Sequence, residues 1–197
     1  MIKLGVFLIP NSKLKKVIIN LKRDVKKNFG FQKYLSHPPH CTLCVLYVSN
    51  SFLQSMKKKS LKVKYHKEFK IDKTDIFFND PVTKGNTLIL KIKKNKFLSS
   101  VQLQILKLIK KYLIKKTMNF MNLKMKNNFE KYGYPFVNTN WFPHFTIASI
   151  TKNKNQKIFI NNFKNFKNYT SKQKVKYIYF YEIKKQKHKL LWKTKLV

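Results

Sequence analysis

Carboxylates are almost missing from this chain. Seven Asp and Glu stand against 44 Lys and Arg in 197 residues, a formal charge of +37, and a field of that sign and size concentrates polyanions at the surface. Arginine is scarcer still, with Arg23 alone. Lysine lacks the planar fork that grips a phosphate in two places, so the charge speaks for diffuse attraction. The abundance of Lys and Asn is also what an A/T-rich genome writes into surface codons. Long apolar runs are absent too. No stretch approaches the roughly 20 residues of a membrane-spanning helix. Leu4 to Pro10 is too short for a signal peptide and lacks its small-residue cleavage site. A cytoplasmic protein with no membrane partner is expected.

Cysteine occurs twice, as Cys41 and Cys44, beside His37 and His40. Four ligand-type side chains within eight residues raise the question of zinc. On a regular strand, however, residues three apart face opposite ways, and no second ligand pair stands elsewhere at zinc-finger spacing. The expectation is two reduced thiols packed as small apolar groups, with no metal and no cofactor.

What the sequence does contain is one phrase written twice, Pro39-His40-Cys41-Thr42-Leu43 and Pro143-His144-Phe145-Thr146-Ile147. Side chains alternate along an extended strand. His40 and Thr42 therefore share a face, His144 and Thr146 share a face, and Leu43 and Ile147 turn toward a core. One such histidine on a half-buried strand is ordinarily structural. Two in matching contexts make a two-sided grip on a phosphate, with an imidazole and a hydroxyl from each side.

The surrounding elements repeat as well, the mark of a duplicated unit. In the first half, a buried strand Ile2 to Ile9 ends at Pro10. Ser12 then caps a helix with Leu14, Val17, Ile18, Leu21, Val25 and Phe29 at helical spacing, closed by Gly30. The first motif strand, His40 to Val48, follows, then a short helix over Phe52 to Lys59 and an extended stretch Tyr65 to Phe78. The second half begins with a strand Thr87 to Ile92 and a helix from Phe97 to Lys116. It continues with the motif strand Pro143 to Ile150, a helix Gln156 to Phe166, and strands Val175 to Ile183 and Lys189 to Leu196. The second copy is longer by about 20 residues, which fall at 117–140. That insertion has loop chemistry with many rings, among them Tyr132 and Tyr134, with Trp141 just beyond it. The rings either pack beneath a long loop or stack on a nucleobase, a contact worth roughly 1–3 kcal/mol.

Paired H-x-T motifs on equivalent strands of a duplicated α/β unit resemble the 2H phosphoesterase superfamily, whose best-known branch is the 2′-5′ RNA ligase and cyclic phosphodiesterase group. The spelling Trp141-Phe142-Pro143-His144-Phe145-Thr146-Ile147-Ala148 is similar to the second motif of its members. The resemblance implies an α+β fold over residues 1–197, a single domain of two pseudo-symmetric lobes. Two antiparallel sheets with flanking helices would surround a central cleft. It implies metal-independent opening of a 2′,3′-cyclic phosphate on an RNA end or nucleotide, reversible as 2′-5′ ligation, by a monomer. His144 would act as base and His40 as acid, roles suited to an imidazole pKa near ~6.5. Thr42 and Thr146 would hold the nonbridging oxygens. Two other readings stand beside this one, a non-catalytic RNA- or nucleotide-binding module of the same fold and an enzyme acting on a small cyclic phosphate of sugar or phosphonate metabolism.

Overall fold

The computed structural model describes residues 1–56, 60–115, 122–151, 156–167, 172–184 and 187–197. In chain order the elements are β1 (Ile2–Leu8), α1 (Ser12–Phe29), β2 (Cys41–Val48), α2 (Ser51–Met56), β3 (Glu68–Phe77), β4 (Asn86–Lys93), α3 (Lys96–Ile109), α4 (Leu123–Tyr132), β5 (His144–Ile150), α5 (Gln156–Asn165), β6 (Lys172–Lys174), β7 (Tyr177–Lys184) and β8 (Lys187–Lys195). The long helices follow their apolar spacing. Leu14, Ile18, Leu21 and Val25 of α1 are buried, as are Phe97, Leu98, Val101, Ile105, Leu106 and Ile109 of α3, each such side chain stabilising the fold by about 1.5–3 kcal/mol.

Both helices start the same way, on an asparagine. Asn11 and Asn95 each accept the backbone N–H three residues on, so Asn11 and not Ser12 caps α1. α3 ends at Ile109 in a short 3₁₀ turn, earlier than its lysine-rich continuation suggested. The end expected for α2, residues 57–59, lies outside the described residues.

The strands form one antiparallel sheet in the order β6-β3-β4-β5-β2-β1-β7-β8. Two four-stranded halves meet in it at a single residue pair, Cys41 opposite Phe145. The pseudo-two-fold axis thus runs between the central residues of the two H-x-T motifs. Each half-sheet is completed by chain from the other repeat. β3 follows the first motif in sequence but pairs with β4, and β7 follows the second motif but pairs with β1. The helices interlock in the same sense, α1 packing against β5 and α3 against β2. The core lies between helices and sheet, and the opposite face carries the motif side chains.

Candidate active site

Along β2 and its lead-in, His40 and Thr42 are half-buried between the fully buried Cys41 and Leu43. Along β5, His144 and Thr146 are half-buried between Phe145 and Ile147. His40, Thr42 and Thr146 come together in a cleft of about 190 Å³ with Tyr34, His37 and Pro38. His144 sits two residues before Thr146 on the same strand face.

The two histidines are held identically. Nδ1–H of His40 donates to the carbonyl of Pro38 at 2.7 Å, and Nδ1–H of His144 to that of Phe142 at 2.6 Å. A carbonyl only accepts, so it assigns the proton to Nδ1 and leaves Nε2 as the nitrogen that takes or gives a proton. Each motif then ends in a bulge. The register slips between Thr42 opposite Phe7 and Cys44 opposite Val6, skipping Leu43, and between Thr146 opposite Ile89 and Ala148 opposite Leu88, skipping Ile147. The extra residue reverses the alternation just past each threonine. Cys41 and Cys44 consequently both lie in the core with no exposed surface, not on opposite faces as strict alternation predicts.

Because β2 and β5 pair once only, the next carbonyls of β2 need other donors. Trp141 Nε1–H donates to the Thr42 carbonyl at 3.2 Å, and the buried Gln102 amide donates to the Leu43 carbonyl at 2.9 Å and to that of Phe136 at 3.0 Å. Gln102 was not singled out in the sequence, since a polar residue within an apolar helical face carries no motif.

A lysine pins the loop in front of each histidine. Lys22, buried in α1, donates to the carbonyls of Tyr34 and Leu35, shortly before the Pro38 carbonyl that orients His40. Lys94 donates to those of Asn138 and Trp141, next to the Phe142 carbonyl that orients His144. Burial lowers both ammonium pKa values, that of Lys22 to about 8.

Charge around the two imidazoles differs. Burial is the main force lowering the His40 pKa, to about 4; its bond to Pro38 works the other way, and His188, His37 and Lys22 add repulsion. Burial also lowers the pKa of His144, but there both the bond to Phe142 and the carboxylate of Asp80 favour the proton. The rings differ too. His40 lies 4.2 Å from the Phe7 ring and 5.4 Å from that of His188, between centroids, while His144 meets the edge of Phe77 at 5.2 Å. Phe7 fits because residue 5 is glycine, where a Cβ would come within 2.4 Å of the Phe7 ring.

The residues weighed for zinc do not converge. Cys41 and Cys44 face the core, where burial raises both thiol pKa values, Cys41 to about 12, while His37 packs against Tyr34 and His188 at the cleft. Among the described residues no three His, Cys, Asp or Glu side chains are grouped to hold a metal.

The insertion is no plain loop, since it folds residues 123–132 into α4, capped by Asn122 and closed by Gly133. Tyr134 is 9% exposed and Trp141 4%, so both pack into the core, leaving no free face for a base. Tyr132 is half-buried under the Lys131 ammonium. The rings that touch the two histidines come instead from β1 and β3, the buried Phe7 against His40 and the exposed Phe77 against His144. His188 was missed because a single histidine in the lysine-rich β8 has no local signature.

No family model matches the chain, and no curated protein matches it in sequence. Solved structures match it in fold. LigT of Escherichia coli in apo form is similar with a TM-score of 0.57 at 10% identity, covering 100% of this chain and 98% of LigT. LigT complexed with 3′-AMP gives 0.58 at 9% identity over the same shares. TT0787 of Thermus thermophilus gives 0.61 at 13% identity, over 98% of this chain and 97% of that one. The chain thus shares the fold of LigT and TT0787.

Proposed function

We propose that the protein is a phosphoesterase opening 2′,3′-cyclic phosphates at RNA ends or on nucleotides, through metal-independent acid–base chemistry of His40 and His144. The carrying observation is the matched pair of Nδ1–H to carbonyl bonds, which leaves two Nε2 atoms for the reaction, that of His40 in a cleft with Thr42 and Thr146 and that of His144 two residues before Thr146 on its strand. In the hydrolytic direction one Nε2 takes a proton from water as its oxygen bonds to phosphorus. The other Nε2–H protonates the ring oxygen as its bond to phosphorus breaks. Thr42 and Thr146 donate to the nonbridging oxygens, where charge accumulates. We assign His40 as base and His144 as acid, the reverse of what the resemblance implied. Burial, with added repulsion from His188, His37 and Lys22, keeps His40 neutral, whereas at His144 burial is opposed by the carboxylate of Asp80, which favours the proton. In ligation the roles exchange. The complex of LigT with 3′-AMP supports a nucleotide as the ligand of this fold.

The test is product analysis. With EDTA present, RNA ending in a 2′,3′-cyclic phosphate is expected to gain a 2′- or 3′-monophosphate end, and His40→Ala and His144→Ala to lose at least ~10²-fold in turnover. Near wild-type turnover by either variant rejects the mechanism. RNA binding with no turnover of any cyclic phosphate would make the chain a binding module, the reading its charge favours.

A further inference from the structure

Next to the proposed catalytic cleft a second depression of about 300 Å³ is lined by Ile19, Lys22, Arg23 and Lys26 of α1 and by residues 35–39. It shares His37 and Pro38 with the cleft, so the two depressions adjoin at these residues. Its floor is apolar, from Ile19, Leu35, Pro38 and Pro39, and its rim is cationic. None of the chain's seven carboxylates lines it.

The division of labour within that rim is legible. The Lys22 ammonium is committed to the Tyr34 and Leu35 carbonyls, and Lys26 lies over the Phe31 ring at 5.5 Å. Arg23 is exposed and makes no ion pair among the described residues. It is the one guanidinium in a chain whose other cations are lysines, and only a guanidinium grips a phosphate with two parallel bonds.

We propose that this groove is a second nucleotide subsite. With the cyclic phosphate at His40, Thr42 and Thr146, the next nucleotide of an RNA end lies on the apolar floor and its phosphate binds Arg23, seconded by Lys26. The substrate class is then an oligonucleotide end rather than a free cyclic mononucleotide. This rests on the proposed phosphoesterase reading, and the experiment separates the two.

Wild type and Arg23→Gln are compared on uridine 2′,3′-cyclic phosphate and on a diuridine ending in the same group. Wild type is expected to prefer the dinucleotide. Arg23→Gln should lower kcat/KM on it about tenfold, the loss of one charge-assisted contact, and leave the mononucleotide within about twofold. An unchanged dinucleotide, or equal losses on both, overturns the subsite. If wild type turns over neither substrate, the phosphoesterase reading fails. Fluorescence anisotropy of 5′-labelled diuridine 3′-phosphate then decides the subsite alone. About tenfold weaker binding to Arg23→Gln upholds it, and equal binding overturns it.

Discussion

Around His40 stand Phe7, His37, His188 and Lys22; around His144 stand the edge of Phe77 and the field of Asp80. The backbone under both is the same, with a carbonyl two residues back on Nδ1, a threonine two residues on and a bulge after it. What repeats is local and travels with a few consecutive residues. What differs is brought in from elsewhere, His188 by β8 and Asp80 by the turn after β3. A duplicated geometry can thus place its two histidines in unlike electrostatic surroundings without losing its symmetry.

The widest test of the comparison is the threonines. If both hydroxyls hold charge in the transition state, Thr42→Val and Thr146→Val each lower kcat by about 10², with little change in KM, in steady-state kinetics on a cyclic nucleotide. A loss confined to one variant would show that the phosphate is gripped from one side only.

Next come the two helix-closing glycines, one in each half. Gly30 after α1 has φ 67° and open space around it, while Gly133 after α4 has φ 70° and Leu113 Cδ2 only 1.9 Å from where a Cβ would sit. Gly30→Ala should cost about 1 kcal/mol in urea unfolding through backbone strain alone. Gly133→Ala should cost about 2–3 kcal/mol, since Leu113 must also move. Equal losses would mean that the core under the insertion yields freely.

The smallest effects sharpen the comparison most. If His40 acts as base and His144 as acid, kcat/KM falls as His40 gains a proton at low pH and as His144 loses its proton at high pH. Removing a positive neighbour by His188→Asn raises the His40 pKa and moves the acidic limb to higher pH. Removing the carboxylate by Asp80→Asn lowers the His144 pKa and moves the basic limb to lower pH. Both variants narrow the pH profile, from opposite sides. Movement of the same limb by both would undo the assignment of base to His40 and acid to His144.

The strand face shared by His40 and Thr42, and by His144 and Thr146, was legible because alternation is a two-residue property. The apolar spacing of α1 and α3 was legible for the same local reason. The bulges were not, because Leu43 and Ile147 read as ordinary core residues, and the face of Cys44 was therefore misplaced. Nor was the burial of Trp141, which answers a carbonyl on Thr42, 99 residues away. The crossing of β3 and β7 between halves also escaped the repeat, since periodicity marks a strand without naming its partner.

That crossing governs the order in which the molecule can be assembled. β1 is synthesised well before β7, yet its edge, Leu4 to Phe7, is covered by Tyr179 to Glu182, and Leu61 bridges to Leu196. The half-sheet that holds β1 therefore stays open until β7 has been made. An exposed edge of apolar strand waiting that long is a template for wrong pairing. Synthesis speed and chaperone capture bear on the yield of this protein more than the stability of the finished fold suggests.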